Sequence, residues 1–138
     1  ASADESRTKQ PIHLHQKDIR ELQLAAGAIR AGTSIMMQQA GLTDEDIDEV
    51  LLAGGFGNFI RRNNARRIGI LPQIPLSKVR FVGNAASMGA RLVLLSRPHR
   101  READEIAEGA SHIDLSMDPE FQLAFSSAML FPEDDFES

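Results

Sequence analysis

The sequence contains no cysteine, no tryptophan and no tyrosine, and aromatic residues make up only 5% of its 138 positions. Without a thiol, the chain can form no disulfide, thiolate zinc site, iron–sulfur cluster or cysteine nucleophile. It also shows neither a signal-peptide pattern nor an apolar run long enough to cross a bilayer. We therefore predict a cytoplasmic protein with no membrane partner and no iron–sulfur cluster in this part of the chain.

Basic residues are fewer than acidic residues. Lys and Arg number 15 against 20 Asp and Glu, which gives a net charge of -5 and a pI near 5.3. A surface that binds polyanions needs an excess of cations, because binding is driven by release of counterions. Nucleic acid is therefore excluded as the main partner. The hydrophobic fraction of 42% is enough for the core of one compact domain.

Glycine is concentrated in the segment Val-Leu-Leu-Ala-Gly-Gly-Phe-Gly-Asn at positions 50–58. The apolar run 49–53 does not alternate, which predicts a fully buried strand, and 58–68 predicts a helix. Glycines between them allow positive φ and leave bare backbone against which a base and ribose could lie. The alternative to ligand binding is a purely structural role, in which the glycines form a tight turn that packs on a neighbouring element. A Rossmann fingerprint and a P-loop are both excluded by missing residues.

A second strand repeats this arrangement. Residues 79–82 predict a strand, Gly83 and Asn84 a turn, and Asn84 the cap of a helix that extends to about Leu95. In an open sheet of parallel strands, ligands bind at the carboxyl ends of the strands. Two glycine turns at the ends of neighbouring strands would line one crevice, which favours ligand binding over a purely structural role.

The remaining patterns are helical apart from one segment. Between Lys17 and Ala40, steps of three and four residues predict one helix face, formed by Ile19, Leu22, Ala26, Ile29, Thr33, Met36 and Ala40. Gly41 follows as a left-handed cap. Thr43 and Asp46 then predict a capping box, with Asp in place of the usual Glu, for a short helix at 44–48. Gly27 and Gly32 interrupt this helix, which suggests close approach of another backbone. Further helices are predicted at 100–108 and 119–129, with an edge strand at 111–115 between them.

We divide the chain into a linker or chain end at 1–12, a lobe at 13–131 and an acidic tail at 132–138. The sequence opens on polar residues without an initiator Met, and we expect it to belong to a larger protein.

Two charged clusters have plain explanations. The plain interpretation of Arg61, Arg62, Arg66 and Arg67 is a solvated helix face, with contact to phosphates or an acidic partner as the alternative. His13 and His15 lack the third ligand that a metal site needs, so we predict no metal site.

One family has all these features in the same order, and the run from His15 to Leu95 resembles the C-terminal part of the reductive activators of corrinoid proteins. The resemblance rests on 17–21 (Lys-Asp-Ile-Arg-Glu), 26–29 (Ala-Gly-Ala-Ile), 31–32 (Ala-Gly), 52–58 (Leu-Ala-Gly-Gly-Phe-Gly-Asn), 68–72 (Ile-Gly-Ile-Leu-Pro) and 82–86 (Val-Gly-Asn-Ala-Ala).

That family is similar to the actin, chaperone and sugar-kinase superfamily (ASKHA). The resemblance implies an α/β fold, namely part of an actin-like (ribonuclease H-like) ATPase lobe with a short, mainly parallel sheet flanked by helices. It also implies an adenine-nucleotide-binding module of an ATP-dependent activator that reduces corrinoid (cobalamin) proteins. The implied nucleotide-binding residues are Gly54, Gly55, Phe56, Gly57, Asn58, Gly83 and Asn84.

The sequence lacks the superfamily's Asp-x-Gly phosphate loop and the acidic residues that would hold Mg²⁺. The resemblance therefore implies that ATP or ADP with Mg²⁺ is bound by a complete protein, and that this chain alone is not catalytic. The implied partner is a corrinoid protein or a corrinoid-dependent methyltransferase, with a second copy of the protein as a further candidate. Two alternatives stay open: a dimerisation or docking module without nucleotide binding, and a lobe of a small-molecule kinase relative.

Overall fold

A computed structural model describes residues 7, 9–57 and 60–132. The elements of this part of the chain are α1 (Gln16–Ala40), β1 (Val50–Ala53), α2 (Gly54–Gly57), α3 (Arg62–Arg67), β2 (Val79–Gly83), α4 (Ala85–Leu95), α5 (Arg97–Gly109) and α6 (Pro119–Ala128). Short 3-10 helices, Asp44–Asp46 and Leu76–Lys78, lead into the two strands. None of the described helices combines the length and apolar content needed to cross a bilayer.

Helix α1 is closed at both ends by local hydrogen bonds. At its start, the backbone N–H of His15 donates to Asp18 Oδ2 at 2.8 Å, so Asp18 is a capping residue. At its end, Gly41 adopts φ 67°, and the N–H of Leu42 donates to the carbonyl of Met37 at 2.9 Å. The predicted helix and its left-handed glycine cap are both confirmed.

Helix α6 packs closely on the small residues of α1. A Cβ added at Gly27 would lie 3.2 Å from the backbone nitrogen of Met129, so the predicted close approach of a backbone is confirmed at this glycine. At Gly32 the near neighbour is instead a side chain, that of Leu115. Ala26 and Ala31 are buried on the same side.

The apolar face predicted for α1 is wrong at three of its large residues. Leu22, Ile29 and Met36 are exposed, whereas Ile35, which lies off that face, is buried. The reason is that close helix packing selects small side chains, and the described part of the chain places no element over the large ones.

Strands β1 and β2 pair in parallel, with Val50 opposite Val79 and Leu52 opposite Phe81. One face covers a core of Ala65, Leu71, Ile74 and Val79. The prediction that β1 is fully buried is wrong, because Val50 and Leu52 are half-buried while Leu51 is 52% exposed. Alternating burial along a strand is usual in antiparallel sheets that are covered on one face. The parallel strands of this chain show the same alternation because the described residues cover only one face of the pair.

The turn before β1 is held by a carboxylate. Asp46 Oδ2 accepts the backbone N–H of Thr43 at 2.8 Å and its hydroxyl at 2.7 Å. These two hydrogen bonds, the backbone one first, hold the pKa of Asp46 below its ordinary value. The predicted capping box with Asp in place of Glu is confirmed.

Helices α4 and α5 follow each other with only Ser96 between them, and neither contains a buried residue. Helix α5 begins at Arg97, three residues earlier than predicted, because Ser96 caps it and Pro98 fits a first helical turn. Apolar side chains of α4 lie open, Leu95 at 80% exposure.

The predicted edge strand at 111–115 is wrong. This segment pairs with neither described strand and leads instead into a turn in which Asp114 Oδ1 accepts the N–H of Ser116 at 2.9 Å. Asp118 then caps α6. The domain boundaries at 12 and 132 remain a prediction, and residues 133–138 of the predicted tail lie outside the described residues.

Candidate functional site

The two glycine turns lie at the same edge of the sheet. Strand β1 ends at Ala53 and continues into α2, while β2 ends at Gly83 and continues into α4. Ala53 is the partner of Gly83 in the parallel register, and α2 contacts both strands. The structure thus brings together Gly54, Gly55 and Gly83, as the sequence predicted.

The three glycines meet different requirements. Gly54 has φ 87° and Gly83 has φ 67°, conformations that favour glycine in any surroundings. Gly55 has no such φ, and a Cβ added there would meet nothing within 4 Å. The described chain therefore gives no conformational or packing reason for a glycine at position 55.

Space around the turns is open. Added Cβ atoms at Gly54 and Gly83 would also meet nothing within 4 Å. Gly69 provides the contrast, because it too has positive φ, yet a Cβ there would lie 3.3 Å from Arg30 Nη1 and from Pro132. Among the described residues, the glycines at the sheet edge thus have open space where a side chain would point, whereas Gly69 is closely packed.

The remaining predicted site residues differ in what the structure shows. Phe56 and Gly57 belong to α2, and Asn58 lies outside the described residues. Asn84 is exposed, and its Oδ1 accepts the N–H of Ser87 at 3.1 Å. Its amide oxygen thus caps α4, which fixes the direction in which that helix leaves the edge of the sheet.

One arginine of the basic cluster has a structural role that the sequence did not reveal. Arg62 Nη1 donates to the carbonyls of Val79 at 2.9 Å and Leu76 at 3.3 Å. It thereby fixes α3 to the beginning of β2. No local signal identifies such a contact, because donor and acceptors are 14 to 17 residues apart.

A second charged contact joins the beginnings of the strands. Arg80 Nε donates to Glu49 Oε1 at 2.6 Å, and Arg80 Nη2 donates to Glu49 Oε2 at 3.0 Å. This two-pronged hydrogen bond, together with the nearby negative charge, raises the pKa of Arg80. Both side chains are well exposed, so the pair positions the strands and adds little stability.

The histidines near the beginning of α1 lie beside each other without forming a metal site. The ring centroids of His13 and His15 are 6.2 Å apart. Within residues 7, 9–57 and 60–132, no three His, Asp or Glu side chains come close enough together to hold a metal ion.

The whole chain, residues 1–138, matches the family model described as the C-terminal domain of RACo, the ASKHA domain. The chain belongs to this family. The predicted fold class, an actin-like lobe with a short parallel sheet, is thereby confirmed together with the two-stranded parallel pairing.

Relatives of this ASKHA domain carry related names. The chain is 37% identical over 130 residues, 94% of its length, to the corrinoid activation enzyme RamQ of Eubacterium limosum. It is 31% identical over 97 residues, 70% of its length, to a [Co(II) methylated amine-specific corrinoid protein] reductase of Methanosarcina barkeri. It covers 22% of the first and 18% of the second, so it spans about a fifth of these relatives' length.

A solved structure shows the same fold. The structure of a reductive activator for corrinoid, iron-sulfur protein matches 98% of this chain with a TM-score of 0.84 and 39% identity. The chain covers 22% of that protein. The likeness therefore concerns one domain of a longer relative.

Proposed function

We propose that this C-terminal domain of a corrinoid-protein reductive activator binds the adenosine part of an adenine nucleotide. The binding surface is the backbone of Gly54, Gly55 and Gly57, with Gly83 and Asn84 opposite. Phe56 and Asn58, which flank Gly57 in the sequence, are further candidates. ASKHA domains bind nucleotides in general, and this chain belongs to that class.

The observation that carries the proposal is Gly55. Neither its φ nor its neighbours among the described residues require glycine, and it lies next to Gly54 at the edge where Gly83 also lies. A ligand that lies flat against the main chain would explain why position 55 is glycine, because any side chain there would occupy the ligand's place. Ligands of open α/β sheets bind at this edge.

The chemistry of the phosphates belongs to other parts of the complete protein. We propose that the complete protein binds ATP or ADP with Mg²⁺, couples it to reduction of a corrinoid protein in the cytoplasm, and that this chain alone is not catalytic. The names of the relatives, an activation enzyme and a reductase of a corrinoid protein, support the partner and the reaction.

One alternative has an observation in its favour. The apolar residues of α4 that are uncovered, Leu94 and Leu95 among them, suit a module that docks on another surface or on a second copy. Docking there is compatible with nucleotide binding at the other end of α4, which follows the Gly83 turn. The kinase alternative is disfavoured by the names of the relatives, all of which concern corrinoid proteins.

Isothermal titration of ATP into the complete protein tests the proposal. Gly55→Asp places a carboxylate in space that the described chain leaves open, so the fold is retained while the nucleotide is repelled. We expect affinity to fall at least about tenfold, which corresponds to roughly 1.4 kcal/mol. Gly109→Asp, where an added Cβ also meets nothing, is the matched control and keeps the wild-type affinity. Equal affinities of the two variants would refute the proposal.

A further inference from the structure

A groove of about 460 Å³ lies beside α1, away from the glycine turns. One wall is the second half of α1, and the other is the connection 69–73, which precedes β2. The turn at 42–44, which precedes β1, closes one end. The groove shares no residue with the proposed nucleotide site, whose turns follow the strands.

The groove is elongated along the helix. Arg30, Ser34 and Gln38 line it at four-residue steps, so its wall is one face of α1. From Arg30 to the end of the helix the axis rises about 15 Å at roughly 1.5 Å per residue. An extended peptide of about four to five residues, at roughly 3.3 Å per residue, has the same length.

The lining of the groove combines apolar and polar side chains. Apolar side chains come from both walls and from the turn: Met37, Leu42, Ile70, Leu71 and Pro72. Hydroxyl and amide groups of Ser34, Gln38 and Gln73 line the same groove. An extended segment offers the matching groups, since its backbone donors and acceptors point sideways and its alternate side chains point down.

The two ends of the groove carry opposite charges. Arg30 lies at one end, where its Nη1 donates to the carbonyl of Leu130 at 3.3 Å. This bond uses one of the five guanidinium N–H donors and holds the group beside Gly69. Asp44 lies at the other end. A bound segment would therefore have a fixed direction, with its carboxylate at Arg30 and its cation at Asp44.

We propose that this groove binds an extended segment of the corrinoid protein, with an acidic residue at Arg30, an apolar side chain over Met37 and Leu42, and a basic residue at Asp44. The inference rests on the proposed function for its partner. It adds a docking surface that is separate from the nucleotide site, so the two can be tested independently.

Photo-crosslinking from the groove in the complete protein tests this proposal. A photoreactive residue replaces Gln73 in the groove or, as a control, the exposed Glu105 of α5, and the purified corrinoid protein is the probe. We expect mass spectrometry to find the corrinoid protein crosslinked from position 73 and not from 105. A crosslink from 73 to another part of the same chain, or to a second copy, overturns the proposal.

Charge reversal gives an independent measurement. Arg30→Glu and Asp44→Lys should each weaken binding of the corrinoid protein at least about tenfold and leave ATP affinity unchanged. Asp44→Lys tests one end without removing the Arg30–Leu130 bond. If the wild type binds the corrinoid protein and neither variant changes the affinity, the groove proposal alone fails. If the wild type does not bind that protein, the partner named under the proposed function is wrong as well.

Discussion

Two pairs of helices in this domain are built in opposite ways. Where α1 meets α6, small residues are buried and the backbones approach so closely that a single Cβ at Gly27 would crowd Met129. Where α4 meets α5, no residue is buried, and a Cβ at Gly89 would meet nothing within 4 Å. The first pair is held by tertiary packing, whereas the second is held mainly by its caps and its own helical hydrogen bonds.

The difference shows where the stability of the chain is concentrated. Packing contributes through the apolar area removed from water, and the buried apolar residues of the described part of the chain all lie in α1, α3, the connection 71–74 and β2. Helices α4 and α5 should accordingly open at lower free energy than the rest of the described chain.

The largest effect is expected from large-to-small changes in the two regions. Ile35→Ala removes a side chain that is only 3% exposed and should destabilise the chain by about 2–5 kcal/mol. Leu95→Ala removes one that is 80% exposed and should change stability by less than about 0.5 kcal/mol. Urea unfolding followed by circular dichroism measures both. Similar losses in the two variants would contradict the contrast.

Two glycine-to-alanine changes should have effects of opposite sign. Gly89→Ala should stabilise by about 0.5–1 kcal/mol, because Ala favours the helix and the space is open. Gly27→Ala should instead destabilise by about 1 kcal/mol, since backbone atoms of Ala128 and Met129 at 3.2 to 3.3 Å would have to move. Midpoints of thermal unfolding give the sign directly. If both variants unfolded at a higher temperature than the wild type, α6 would be able to move away from position 27 at little cost in free energy.

The smallest effect concerns pH. The pKa of Asp46 is lowered from 3.8, first by the Thr43 N–H and then by the Thr43 hydroxyl. A carboxylate with a lowered pKa in the folded state stabilises the fold above the unfolded value, and this contribution is lost as pH falls below 3.8. Asp46→Asn should remove that dependence in urea titrations on either side of that pH.

Thr43→Ala provides a graded control for this prediction, because it keeps the backbone N–H and removes only the weaker cause. It should reduce the pH dependence of stability without abolishing it. If Thr43→Ala abolished the dependence as completely as Asp46→Asn does, the hydroxyl would be the main cause and the assignment would be wrong.

Sequence reasoning succeeded where the cause lies within a few residues. Gly41, Asp46 and Asn84 were recognised because a helix cap joins groups three or four positions apart. The pairing of β1 with β2 followed from their common glycine turns. For the candidate site, the sequence indicated the edge where Gly54, Gly55 and Gly83 meet.

Prediction from the sequence failed where a structural feature depends on residues far away along the chain. Which side of α1 is buried depends on α6, about a hundred residues later, and the bond from Arg30 to Leu130 spans the same separation. The strand predicted from the apolar run at 49–53 is confirmed as β1, yet the burial of Leu51 depends on what covers the second face of the sheet. The alternating pattern at 111–115 had no strand to pair with among the described residues. The groove beside α1 was missed for the same reason, since its walls are distant in sequence.

The register of the two strands has one consequence for insertions and deletions. Leu52 pairs with Phe81 but Ala53 pairs with Gly83, so Val82 is an extra residue in β2. Changes of length between α3 and β2 alter only a connection. Deleting Val82 would remove this extra residue and still leave Gly83 opposite Ala53, so the two glycine turns would continue to face each other. Strand β1 has no such extra residue, and deleting Leu52 would instead move Gly54 back by one position relative to Gly83. The length of β1 is therefore fixed more tightly than that of β2.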